Sequence, residues 1–227
     1  MLVTHFPALY RQYLLTRIKT GPLRQYLNAP LPAPSQTVHD TEFVSLDFET
    51  TGLNPETDEI LSIGYTVIKN SHILLRKNGY HLIKPEYDIH QSSVAIHGIT
   101  DTDAQQGRPL SEVFEILLPE LAGKVLLAHN AIIEQTFLNR LCKQVYGYAL
   151  PLRIIDTLKV EQRRLLHHQQ HIATGQLRLF NLRSQYHLPR YKAHNALEDA
   201  IATAELFLAM AHNRCNQLEK CKIKEFL

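Results

Sequence analysis

Apolar and polar positions divide the chain into segments of two different periods. Phe43, Val44, Leu46 and Phe48 are β-formers that mark a first strand. Thr50-Thr51-Gly52 ends it in a turn, where glycine can take positive φ. Residues 60–68 read as a second strand, and 72–83 as a third, bent or paired on itself at the turn dipeptide Asn78-Gly79. The short links predict antiparallel neighbours. Past residue 110 the period becomes helical. It predicts a helix over 111–121, a short apolar strand over 125–128, a helix over 131–146 and a strand over 153–156. Helices near 157–172 and 179–187 follow, and then a last one, rich in Ala, Leu and Glu, over about 195–211. Antiparallel strands followed by alternating strands and helices describe an α/β fold, a mixed sheet covered by helices. Upstream, Leu2, Phe6, Leu9, Tyr10, Tyr13 and Leu14 recur at helical spacing within residues 1–28, and the proline-rich stretch 29–35 reads as an extended linker. The expected organisation is a helical extension and linker over 1–38, a main domain over 39–213 and a basic tail over 214–227.

Composition narrows the class without naming a function. The 227 residues, 44% hydrophobic and 20% charged, suit one α/β domain with an appendage or at most two small domains. A net charge of +2 neither requires nor excludes a nucleic-acid partner, and 13 histidines add positive charge below neutral pH. Cys142, Cys215 and Cys221 are odd in number and contain no C-x-x-C pair, which argues against a disulfide framework or a zinc ribbon. Arg11, Arg17 and Lys19 interrupt the N-terminal apolar runs, so no signal peptide is read, and no stretch approaches the roughly 18 apolar residues of a membrane span. The expectation is a soluble cytoplasmic protein with no membrane partner.

Chemistry enters with Asp47 and Glu49. Residues two apart on a strand share a face, so these carboxylates project side by side. Adjacent carboxylates repel unless a proton or a cation lies between them, and hard divalent cations take such oxygen ligands. Three further motifs place carboxylates or imidazoles at element ends, where sites are usually built. His97-Gly98-Ile99-Thr100 precedes a helix; His129-Asn130-Ala131 opens the helix that carries Glu134; His194-Asn195-Ala196 opens the helix that carries Asp199.

In this order and at these spacings, the motifs resemble those of the DEDDh family of 3′-to-5′ exonucleases over roughly residues 42–210. Asp47 and Glu49 match its first two acids, Thr51-Gly52-Leu53 the turn after them, His97-Gly98-Ile99 its His-Gly-Ile loop, and His194 with Asp199 its closing His-x4-Asp motif. One acid departs: Glu134 stands where the family normally has Asp, keeping the charge on a side chain one methylene longer. The resemblance implies a ribonuclease-H-like fold with a mixed five-stranded sheet, and two divalent metals, Mg²⁺ or Mn²⁺. It assigns Asp47 to both ions, Glu49 and Asp199 to the first site, Glu134 to the second, and proton abstraction from the attacking water to His194. It also implies that Thr50, Thr51, Gly52, Leu53, His97, Gly98, Ile99, His129 and Asn130 bind the terminal nucleotide of a single strand or 3′ end. Leu53 and Ile99 are equally readable as plain core residues, and Phe137 as core. Likeness to the polymerase proofreading subunit favours DNA, in repair or proofreading. RNA ends or short oligoribonucleotides are the alternative, separated by contacts to the 2′-OH. A non-catalytic nucleic-acid-binding module is a reading of another class, motivated by Glu134 and the N-terminal helix.

Weaker signals remain. His167 and His171 have i, i+4 spacing with no evident third ligand, so a solvated face is expected there, with a phosphate-contacting face formed with Arg163 and Arg164 as the second reading. Gln176-Leu177-Arg178-Leu179-Phe180 resembles the Q-L-x-L-F peptide with which bacterial replication proteins grip a sliding clamp, against the alternative that Leu179 and Leu182 form a buried helix face. Lys220, Lys222 and Lys224 read as a frayed basic helix end.

Overall fold

The computed structural model describes residues 7–86, 97–192 and 194–227, so Leu2 and Phe6 lie outside the described residues. Strand β1 (Phe43–Thr50) is central. It pairs antiparallel with β2 (Ile60–Lys69) and parallel with β5 (Val125–Ala128), which pairs parallel with β6 (Ile154–Asp156). The sheet has six strands rather than five. A single 3₁₀ turn at Leu75–Lys77 breaks the expected third strand into β3 (His72–Ile73) and β4 (Gly79–Leu82), and each pairs with β2 rather than with the other.

Alternation along β1 sorts the two faces. Val44, Leu46 and Phe48 join one core with Ile63 and Tyr65 of β2 and Leu126 of β5. Over that face lie α4 (Leu110–Leu121) and α5 (Ile132–Tyr146), through Phe114, Leu117, Phe137 and Leu141. Phe137 is therefore core, as expected. Phe43, Val125 and Leu127 turn the other way, onto Phe207 and Met210 of α8 (Ala196–Cys215). On that second face the positions after Phe43 are Ser45, Asp47 and Glu49 on β1, opposite Thr66, Gly64 and Ser62 on β2. Small and acidic side chains thus replace the apolar core where the N-terminal half of α8 crosses the sheet. Short helices α3 (Asp101–Ala104), α6 (Thr157–His167) and α7 (Leu179–Gln185) complete the layers.

Among the described residues the N-terminal extension contains two helices, α1 (Pro7–Arg17) and α2 (Gly21–Asn28), broken at Gly21, which has φ +86°. Each supplies an arginine to the other's C-terminal carbonyls. Arg11 donates to the carbonyls of Asn28 and Ala29, and Arg24 to those of Leu15 and Ile18. Two of the basic side chains are thereby committed to satisfying helix ends. Leu14, Leu23 and Leu27 enter the first core, and the Tyr26 hydroxyl donates to the Pro151 carbonyl.

The tail is not a frayed helix end. Val38 N–H donates to the Cys221 carbonyl, Ile223 N–H to Gln36 and Lys224 N–H to Pro34, tying residues 221–224 to the linker. Ile223 and Phe226 are buried in the second core. The cysteines, read as arguing against a disulfide framework, nonetheless include one bridge: Cys215 and Cys221 form a disulfide, and Cys142 is free and buried. The chain reverses at Asn216 (φ 54°), bringing the two Cα atoms to 5.5 Å, within disulfide reach. Among the described residues no helix is long and apolar enough to cross a membrane.

Candidate active site

The site assembles where β1 ends. A register shift at Glu49/Thr50 interrupts the regular pairing with β2 there, Thr50 facing Ile60 after Glu49 faces Ser62. The turn that follows is held closed by Thr51 N–H donating to the Glu59 carbonyl, Glu59 N–H to Thr51 Oγ1, and Thr50 Oγ1 to the Gly52 carbonyl. Gly52 permits this closure, since a Cβ on it would stand 2.4 Å from Asp58 Oδ2, which accepts the Asn54 N–H. Leu53 is left 74% exposed at the lip. It is not core.

Glu49 on β1 and Asp199 in the first turn of α8 are both buried, and His194 just before that helix is exposed. Their ligand atoms all lie within 4.8 Å of one another, forming a candidate metal-holding group. His194 takes the left-handed region (φ 67°), and its N–H donates to Asp199 Oδ2 at 3.1 Å. The turn carrying the imidazole is therefore pinned to the carboxylate beside it. Asn195 caps α8 by accepting from Leu197 and Glu198 N–H.

Asp47 and Glu134 join this group through its electric field. Burial raises the Asp47 carboxyl well above the carboxylate range, and the charges of Glu134, Asp199 and Glu49 raise it further. Burial and Asp199 push Glu49 to about 7. Asp199 rises to about 6, burial outweighing the hydrogen bond and charge of His194. Glu134, 2% exposed, rises to about 8, chiefly through burial and then the charge of Asp156, with the backbone groups of Glu134 itself and of Phe48 opposing the rise. Glu134 Oε2 and Asp199 Oδ1 are buried with no hydrogen-bond partner among the described residues. Orphaned carboxylate oxygens inside a cluster of proton-retaining acids suit hard divalent cations.

The remaining expected binding residues divide. His97 accepts the Ile99 N–H on Nδ1, while burial and the charge of His194 lower its proton affinity. Gly98 is exposed with φ +73°. Ile99 is buried with Leu61 and Ala104 and offers little surface to a ligand. His129 corrects the expectation. Its Nδ1 pairs with Thr157 Oγ1 and its Nε2 with the Leu177 carbonyl, both at 2.8 Å, so both ring nitrogens tie the fold together. Asn130 (φ 66°) and Ala131 donate their N–H groups to Asp156, at 3.0 and 3.1 Å.

Asp156 was missed by sequence reasoning. Its carboxylate also caps α6 through the Leu158 and Lys159 N–H groups, so one side chain fixes the turn that launches Glu134 and the start of the next helix. The available signal was an Asp-Thr pair ending a strand at a helix start. Of the weaker signals, Arg163 donates to the carbonyls of Phe226 and Leu227 and Arg164 to buried Glu161. Leu177 and Leu179 pack on the second core, and Gln176 accepts the Ala173 N–H.

Comparison with known proteins shows the family. The model of the family described as Exonuclease (RNase_T) matches residues 44–207. A DNA polymerase III subunit epsilon of Treponema pallidum is 32% identical over 188 residues, covering 81% of this chain and 83% of that protein. A PolC-type DNA polymerase III of Thermotoga maritima is 34% identical over 197 residues, 82% of this chain, which spans only 14% of that protein. Among solved structures, E. coli exonuclease I in complex with a 5cy-dT13 oligonucleotide superposes with a TM-score of 0.65 at 17% identity, over 79% of this chain and 42% of that one. That likeness fixes the fold as ribonuclease-H-like. By the extent of the family match and the likeness to the epsilon subunit, the chain belongs to the exonuclease family.

Proposed function

We propose that this chain is a metal-dependent 3′-to-5′ exonuclease that releases nucleoside monophosphates from the 3′ end of single-stranded DNA, in repair or proofreading. The observation that carries the reading is the cluster of Glu49, His194 and Asp199, within 4.8 Å, beside Asp47 and Glu134, with two buried carboxylate oxygens unpartnered among the described residues. Asp47, Glu49, Glu134 and Asp199 would hold two Mg²⁺ or Mn²⁺ ions, which when bound supply charge relief at a leaving oxygen and a more acidic water.

The chain's own residues do the rest. His194 accepts the proton of the attacking water on an imidazole nitrogen, which lies within 4.8 Å of carboxylate oxygens of Glu49 and Asp199. The water oxygen bonds to phosphorus, the P–O3′ bond breaks, and the departing oxygen is protonated to leave a shortened strand with a 3′-hydroxyl. Asp199 holds His194 through its backbone N–H. Exposed Leu53, with Thr51 and His97 near it in the proposed pocket, supports stacking of the terminal base on an apolar surface. DNA is favoured because a relative covered nearly end to end is named a DNA polymerase III subunit. A sliding clamp is not included, because Leu177 and Leu179 would have to leave the core on which they pack.

The test is degradation of matched single-stranded DNA and RNA labelled at either end, with Mg²⁺ or Mn²⁺. DNA shortened from the 3′ end faster than RNA supports the reading; faster RNA shortening makes it an exoribonuclease, and binding without cleavage a nucleic-acid-binding module.

A further inference from the structure

Four of the five clustered groups come from two parts of the fold: Glu49 and Asp47 from β1, and His194 and Asp199 from the start of α8 and the turn before it. Taking the exonuclease reading as its basis, we propose that Gly64 is the positioning residue that sets the separation of these two halves. Gly64 lies on β2 directly opposite Asp47. Directly opposed residues point to the same side of a sheet, so the missing side chain of Gly64 lies on the face that carries the acids and receives α8.

A Cβ at Gly64 would stand 2.1 Å from the carbonyl carbon of Ala196, 2.2 Å from the nitrogen of Leu197 and 2.3 Å from the oxygen of Ala196. All three are backbone atoms of the first turn of α8, so no side-chain rotation relieves the overlap. Ordinary contact begins at 3.4 Å, and the difference, 3.4 − 2.1, requires strand and helix to part by about 1.3 Å along that line. Asp199 lies in the same turn, its N–H bonded to the Asn195 carbonyl at 2.8 Å, and its carboxylate holds the backbone of His194. Lifting the turn therefore carries both groups away from Glu49 together. A misplacement of about 1 Å can cost about 10²-fold in rate. Gly64 touches neither substrate nor metal in this account; it permits the approach that makes one site of two half-sites.

Three full-length proteins decide this: wild type, Gly64→Ala and Gly79→Ala. Gly79 is the matched control. It is on the same sheet, and a Cβ there would stand 2.2 Å from the ring of Tyr65, which points into the other core. Mn²⁺ binding is titrated without nucleic acid, amide exchange is followed across residues 196–200, and far-UV circular dichroism reports the fold. For Gly64→Ala the expected result is a folded protein whose Mn²⁺ dissociation constant rises about 10–100-fold. Exchange should quicken in the first turn of α8, and Gly79→Ala should melt earlier yet bind Mn²⁺ like the wild type. Wild-type Mn²⁺ affinity in Gly64→Ala, or an equal loss in Gly79→Ala, overturns the proposal. Should Gly64→Ala not fold, Ala196→Ser, a smaller enlargement of a fully buried side chain in the same turn of α8, is judged by the same readouts. Mn²⁺ binding by a wild type that shortens no oligonucleotide would sink the exonuclease reading, while the three-way comparison would still decide the role of Gly64.

Discussion

Glu134 is where one methylene separates this chain from the pattern it otherwise follows. Its carboxylate is buried, and its Oε2 has no hydrogen-bond partner among the described residues. Its charge raises the carboxyl of Asp47 on β1, so the longer arm still joins the field of the other acids. Glu134→Asp, although it restores the usual residue, should lower metal affinity and turnover by about tenfold or more, read from Mn²⁺ titration and single-turnover cleavage. A gain in either would show that the longer side chain is a handicap here. His194→Ala should cost about 10²–10⁴ in rate with the fold retained, since the contact to Asp199 uses the backbone of residue 194; near-wild-type turnover would remove the imidazole from the mechanism. The acids were legible in the sequence because their chemistry is local: a spacing of two on a strand and a fixed motif order. His129 was misread for the converse reason. Its partners, Thr157 and the Leu177 carbonyl, lie far along the chain, and nothing near it announces that both nitrogens are committed.

Between elements, the strand and helix assignments were legible wherever burial and period agreed, as on β1, β5 and α8. They failed where a single turn mattered. Residues 72–83 became two strands around the 3₁₀ turn, and the described part of the expected N-terminal helix, residues 7–28, became two helices cross-capped by Arg11 and Arg24. The acceptors of those arginines are carbonyls at the end of the neighbouring helix, a pairing that helical period does not encode. Asp156 joins two elements in the same way, with four backbone N–H donors on one carboxylate. Asp156→Ala removes a helix cap worth about 1 kcal/mol and strands the N–H groups that launch α5, at about 1–3 kcal/mol. Urea denaturation should show a loss of at least the cap, accompanied by weaker Mn²⁺ binding through Glu134. Unchanged stability would mean that other acceptors replace the carboxylate.

For the whole molecule, the cluster links folding to pH. The Glu49, Glu134 and Asp199 carboxyls rise to about 7, 8 and 6 from ordinary values of 4.5, 4.5 and 3.8. The folded state therefore holds more protons than the unfolded chain, and stability falls with rising pH wherever that holds. Their contribution is fully present below the ordinary carboxylate range and is lost as pH rises through about 6 to 8. Without metal, the melting temperature should fall between pH 5 and about 8, and Mn²⁺ should restore it most at the upper end. A metal-free melting temperature that climbs over that interval would contradict the placement of these acids in one buried field. At this scale the sequence revealed the layered sheet and the site at its edge, but not the tail folded back through Cys215, Cys221 and Phe226. That closure depends on contacts with the linker at Pro34–Val38, which no local pattern encodes.

The most direct test of the account follows single-stranded DNA labelled at its 5′ end, in Mg²⁺ or Mn²⁺, with wild type beside Asp47→Ala. Wild type should give a metal-dependent ladder that shortens from the 3′ end, and the variant none. Intact DNA with the wild type in both metals, or an equal ladder from Asp47→Ala, would contradict it.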